Sequence, residues 1–344
     1  MQHREKAVGL PDSPIDWNAA VRTGQRLAPH GPRVTAAQAR AAVSDLHRLA
    51  GTAELRVRET TGLGLDLPVA AAEVVDRGGW IAATAEGMAA LTAPLAGRLP
   101  PLKAGRSVAG SQVGVLLGYL SGRVLGQFDP LGGDAGRLLL VAPNVIKVER
   151  ELDAEPGDFR LWVCLHESTH RLQFTAVPWL TDHFRGLIGS YAEVATTDPS
   201  EMLRRAVAAV RGGRSHSEDG ESWIQRIQTP EQRTVFDALL ALMTLLEGHA
   251  DHVMDAVGPA VVPSVASIRA AFSERRRKGR GPLDRLVRSL LGLDTKMAQY
   301  VRGAAFVRAV VARVGMDGFN RVWTSPDTLP TLAEIAQPAD WVRR

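Results

Sequence analysis

The five residues His166-Glu167-Ser168-Thr169-His170 constrain this chain more than any other stretch. Helical side chains four apart project from one face, so two imidazoles at that spacing can hold one zinc ion from a single rigid element. The flanking sequence must then be helix. Asp158 to Phe174 reads as one, with Phe159, Trp162, His166, His170 and Gln173 on one arc. Both histidines thus share an otherwise largely apolar face, where a dry wall strengthens the field of an ion. Glu167 stands beside the pair, placed to take a proton from water that such a metal activates. The motif makes an otherwise bland, alanine-rich chain a candidate zinc hydrolase.

Catalytic zinc usually takes three protein ligands and keeps one position for water, so a third ligand must come from elsewhere. The extended metzincin motif HExxHxxGxxH is excluded, because its added positions hold Gln173 and Ala176. The gluzincin pattern takes a glutamate from a later helix. A long helix expected from Pro230 to about Val257 carries Glu247-Gly248-His249-Ala250-Asp251-His252. Glu247 is the expected third ligand. Asp251, one turn on, is placed to accept the N–H of a ligand histidine and fix its tautomer. Gly248 would let a neighbouring backbone approach closely. Glu247 and His249 flank opposite edges of this helix's apolar face, so the helical wheel leaves His249 open as an alternative ligand, with His252 further out. For the donor that stabilises a developing oxyanion, the chain offers three tyrosines, of which Tyr300, near Arg302, is favoured, with His252 next.

The remaining composition narrows the function classes. The chain has 344 residues, is 45% hydrophobic and carries a net charge of +4. That basic excess is modest for the length and predicts no nucleic-acid partner. The run Arg275-Arg276-Arg277-Lys278-Gly279-Arg280 reads as a solvated interhelical loop. Cys164 is the single cysteine, so no intrachain disulfide forms, and it points about 200° away from His166 on the helix. The N-terminus lacks the apolar core of a signal peptide. Val108 to Leu125 is broken by glycines and polar residues and reads as a buried helix, not a membrane span. A cytoplasmic location with no membrane partner is the expectation.

Helical periodicity dominates the rest. Thr35 to Thr61, Trp80 to Thr92, Ser107 to Leu125 and Thr295 to Val314 read as helices. Gly126 to Gly136 reads as a turn-rich connection, and Arg211 to Gly220 as a flexible loop. Leu138 to Val141 is the best strand candidate, either an edge strand along a cleft or a buried connector. Thr324 to Arg344 reads as a proline-interrupted tail. The expected fold is mainly α with a small strand element near the cleft. A single domain over 1–344 is expected, with an N-terminal helical part (1–150) and the metal-site helices and tail after it (151–344).

Several longer strings carry a family resemblance. They include Asp16-Trp17, Val75-Asp76-Arg77-Gly78-Gly79-Trp80-Ile81, Gly126-Gln127-Phe128-Asp129-Pro130 and Leu140-Val141-Ala142-Pro143-Asn144. Phe159-Arg160-Leu161-Trp162-Val163 leading into the motif, Gln173 through Leu180, Glu247 through Asp251 and Phe319-Asn320-Arg321-Val322-Trp323 complete them. With these the chain resembles zincin-like metallopeptidases of actinobacteria and relatives, often described as associated with deazaflavin coenzyme biosynthesis. The resemblance implies a helical zincin-like fold and a Zn2+-dependent hydrolase acting on a peptide or amide. The alternative is a non-catalytic scaffold or binding protein stabilised by zinc. One departure stands out: 77 positions separate His170 from Glu247, where thermolysin-like gluzincins use a much shorter insertion.

Overall fold

The computed structural model describes residues 13, 15–93, 105–133, 136–195, 230–278 and 293–344. In chain order the elements are α1 (Trp17–Leu27), α2 (Ala36–Thr61), β1 (Glu73–Val75), α3 (Arg77–Thr92), α4 (Arg106–Ser121), β2 (Gly126–Asp129), β3 (Arg137–Val141), α5 (Ala142–Glu151), α6 (Pro156–Ala176), α7 (Leu180–Ala195), α8 (Pro230–Ala256), α9 (Val265–Lys278), α10 (Leu293–Phe319), α11 (Leu332–Ala336) and α12 (Pro338–Arg343). The mainly helical class with a small strand element is as the sequence predicts. The loop expected at Arg211 to Gly220 lies outside the described residues. The chain forms two compact units, Met1–Thr181 with Val253–Arg277, and Asp182–His252 with Lys278–Arg344. Among the described residues no helix is long and apolar enough to cross a membrane.

The first unit is built around a three-stranded sheet in the order β1-β3-β2. β1 runs parallel to β3 and β2 antiparallel, with Gly126 opposite Leu140 and Phe128 opposite Leu138. β3 is therefore the central strand, and Leu138 to Val141 are all buried, as expected where both faces are covered. Leu139 and Val141 join Trp17, Trp80, Ile81 and Leu117 in a core shared with α1, α3 and α4. Of the two readings of Leu138 to Val141 the buried one holds, and one expectation changes: the stretch from Gly126, expected to be a turn, supplies the edge as β2. Gly126 and Asp129 favour turns when read alone. Pairing with β3 and the cover of α6 override that preference.

Three of the strings that carry the resemblance lie at junctions of this unit. Asp16 caps α1, its Oδ1 accepting the Ala19 N–H at 2.9 Å. Asp76 caps α3 the same way through the Gly79 N–H. The Asn144 amide donates to the carbonyls of Ser121 and Val124, and its oxygen accepts the Arg77 guanidinium at 2.8 Å. Arg77 donates onward to the carbonyls of Pro29 and His30, so a buried cation is satisfied by neutral acceptors. Pro143-Asn144 follows the end of β3 and opens α5 with its proline in the first turn.

α6 is held from three sides. Arg160 pairs with both oxygens of Glu149 and with Asp45 at 2.8 Å, and Arg171 pairs with Glu54, which also binds Arg58. Arg160 and Arg171 are three turns apart and bind the helix to α2 and α5. Asp158 accepts both the amide and the hydroxyl of Ser264, while the Trp162 ring meets Phe272 of α9 edge-on at 5.1 Å. On the third side Phe174 packs against Phe128 of β2 at 6.0 Å. The basic run expected as a solvated loop begins inside α9, where Arg275 pairs with Glu151 at 2.9 Å.

In the second unit, Tyr191 of α7 packs on Phe236 of α8 at 6.0 Å. α8 and α10 meet backbone to backbone. A Cβ on Gly248 would stand 2.2 Å from the Gly303 carbonyl carbon, and one on Gly303 would stand 2.1 Å from the Thr244 oxygen. The close approach expected at Gly248 is there. The C-terminal tail is ordered by Trp341, whose indole donates to the Thr328 carbonyl at 2.8 Å and meets Phe306 edge-on.

Candidate metal centre

The motif lies within α6, as its spacing requires. Glu155 caps the helix through the Asp158 N–H and Pro156 occupies the first turn, so the helix is established two turns before the first histidine. The imidazoles of His166 and His170 face each other edge to face, with their Nε2 atoms 3.1 Å apart. That separation suits two nitrogens sharing one ion at a Zn–N length of about 2.0–2.1 Å. His170 Nδ1 lies 2.9 Å from Gln173 Oε1. With the N–H donating to that carbonyl oxygen, the tautomer leaves Nε2 with its lone pair free for a metal. The residues fit zinc.

Gln173 was visible on the same arc in the sequence, three residues after His170, where helical neighbours meet. Its role was missed, and Asp251 was expected to do this work. For His170 the partner is Gln173, which is fully buried. Asp251 is half-buried on α8 in the second unit.

Glu167 is 6% exposed and points to the side of the helix covered by β2. Gly126 sits directly over it: a Cβ there would stand 2.5 Å from Glu167 Cγ and 2.9 Å from Oε1. Sequence reasoning missed Gly126, because it read the segment as a turn in which a glycine needs no further explanation.

Glu247 is half-buried on α8. His166 and His170 lie in the first unit and Glu247 in the second. His249, the alternative ligand, is fully buried in the second unit, stacked on Phe319 at 5.2 Å and against Trp323 at 5.4 Å. It is a core histidine of that unit. The side chain of Tyr300 lies outside the described residues. Cys164 is buried away from the histidine face, and burial pushes its thiol far above the ordinary range, which suits an inert packing role.

The chain shares 35% sequence identity with a candidate hydrolase with a novel fold from Chloroflexus aurantiacus, known from a crystal structure. The TM-score is 0.69, and the match covers 96% of this chain and 98% of that one. A comparison with curated proteins returns no match. The family model for zincin-like metallopeptidases matches residues 15–342, which takes in both histidines, Glu167 and Glu247. The chain belongs to the zincin-like metallopeptidase family.

Proposed function

We propose that the protein is a zinc-dependent hydrolase of peptide or amide bonds, with His166, His170 and Glu247 as the zinc ligands. The observation that carries this reading is the pair of Nε2 atoms 3.1 Å apart with buried Glu167 between them in sequence. Bound zinc supplies Lewis acidity, lowering the pKa of water and polarising a carbonyl. Gln173 holds the His170 ring in its ligating tautomer. Glu167 accepts the proton of the attacking water and returns it to the leaving nitrogen. Tyr300 is the proposed oxyanion donor, and Asp251 the proposed partner of the remaining ligand N–H.

The edge of β2 supports the peptide reading. Leu125 accepts the Val141 N–H across the ladder, so antiparallel alternation turns the main-chain groups of Gly126 and Phe128 away from β3. The side-chain positions of Gly126 and Phe128 face the side of α6 that carries Glu167 and Phe174. An extended peptide added to this edge would bring a backbone carbonyl beside Glu167. The hydrolase description of the Chloroflexus protein supports the same reaction class.

Glu167→Gln tests the chemistry. The variant is expected to retain zinc and lose hydrolysis of an unstructured peptide library by at least about a hundredfold. Undiminished cleavage would remove Glu167 from the mechanism.

A further inference from the structure

We propose that Gly126 is a positioning residue for Glu167: the absence of a side chain on β2 creates the space in which the carboxylate stands. The role assigned to Glu167 rests on the zinc-hydrolase reading above, whereas the placement of Glu167 by Gly126 does not.

Backbone conformation is not the reason for this glycine. The residues with positive φ include several glycines but not Gly126, so its φ is one that any residue adopts. Space is the reason. The three atoms nearest to an added Cβ all belong to Glu167: Cγ at 2.5 Å, Cδ at 2.8 Å and Oε1 at 2.9 Å. Contacts that short must be relieved by movement, and the surroundings decide what moves. β2 is held on one edge by β3, on one face by the Gln127 oxygen accepting the Trp80 indole at 2.9 Å, and on the other by Phe128 against Phe174. α6 is held by the Arg160 and Arg171 ion pairs. The Glu167 side chain, with three rotatable bonds, is the softest element in the contact. Any residue larger than glycine at 126 therefore displaces the carboxylate rather than the strand or the helix. The two inward positions of β2 thus divide their work, with Phe128 packing on α6 and Gly126 leaving room over it.

The test combines thermal unfolding of wild type, Gly126→Ala, Glu167→Ala and the double variant with the visible absorption of bound Co2+. Glu167→Ala removes all three contacting atoms. Gly126→Ala is expected to lower Tm by roughly 3 °C in the wild-type background and by less than about 1 °C in the Glu167→Ala background. Cobalt loading serves as the probe of placement, because outer groups around a metal tune its spectrum. Gly126→Ala should alter the cobalt bands as Glu167→Ala does, with no further change in the double variant. Equal Tm losses in both backgrounds would overturn the proposal, as would an unchanged cobalt spectrum in Gly126→Ala. If wild type takes up no cobalt, the zinc reading falls, and the unfolding cycle alone decides whether Gly126 places Glu167. If Gly126→Ala does not fold, recovery of folding in the double variant supports the contact and failure to recover counts against it.

Discussion

Asp16 joins two helices with one carboxylate, accepting the Ala19 N–H through Oδ1 and the Ser107 hydroxyl through Oδ2 at 3.0 Å. The Ala19 N–H holds its pKa below the usual carboxylate range, against the opposing effect of burial. A depressed carboxylate pKa stabilises the fold above the unfolded value, and the gain is lost as pH falls through the folded value. Asp16→Ala is expected to lower stability by about 1 kcal/mol at neutral pH. Denaturant titrations should show that gap closing as pH falls below the ordinary carboxylate range, and a gap independent of pH would contradict the assignment. Asp153 offers the opposite sign. It ends α5 with φ of 49°, while Ala154 N–H bonds to Glu149 O and Asp153 N–H to Arg150 O. These are the two bonds of a Schellman cap, whose left-handed position favours glycine. Asp153→Gly should raise stability by roughly 0.5 kcal/mol, and a loss in urea unfolding would show that the side chain holds the turn. At this level of detail the sequence is legible for groups whose partners lie within one or two turns. His166, Glu167 and His170 follow from spacing alone. Gly126 does not, because its partner is 41 positions away.

The packing of α1 on α4 shows why long-range partners stay hidden. Gly110, Gly114 and Gly118 recur every fourth residue on α4, and Cβ atoms on the first two would stand 2.1 Å from Asp16 O and 2.5 Å from Ala20 O. The glycines that argue against a membrane span in the sequence are thus the surface on which α1 rests. The sequence shows the spacing but not the helix that fills it. Gly114→Ala is expected to destabilise by about 1–3 kcal/mol, because two backbones would have to part. Gly186 on α7 has nothing among the described residues within 4 Å of an added Cβ, so Gly186→Ala should stabilise by roughly 0.5–1 kcal/mol. Similar responses at the two sites, measured in one unfolding series, would count against the packing account. Strands were less legible than helices for a related reason. β1 has three residues and β2 four, too few for an alternating pattern, so the sequence alone leaves open whether β3 is an edge strand or a buried one.

The helical class and the spacing of His166 and His170 on one helix were readable because each rests on local periodicity, whereas Glu247 as a ligand is an expectation from the gluzincin pattern. The division into two compact units was not readable, since α8 runs without a break across the boundary at His252 and no composition shift marks it. A helical wheel does not choose between Glu247 and His249, and it does not show that His249 stacks on Phe319 and Trp323. The account therefore turns on whether Glu247 completes a zinc site with His166 and His170. The direct measurement is zinc per chain, by elemental analysis after removal of loosely bound metal, in wild type and in Glu247→Ala. Near one zinc in wild type and a large loss in the variant is the predicted result. Full zinc in Glu247→Ala, or none in wild type even after titration with zinc, would contradict it.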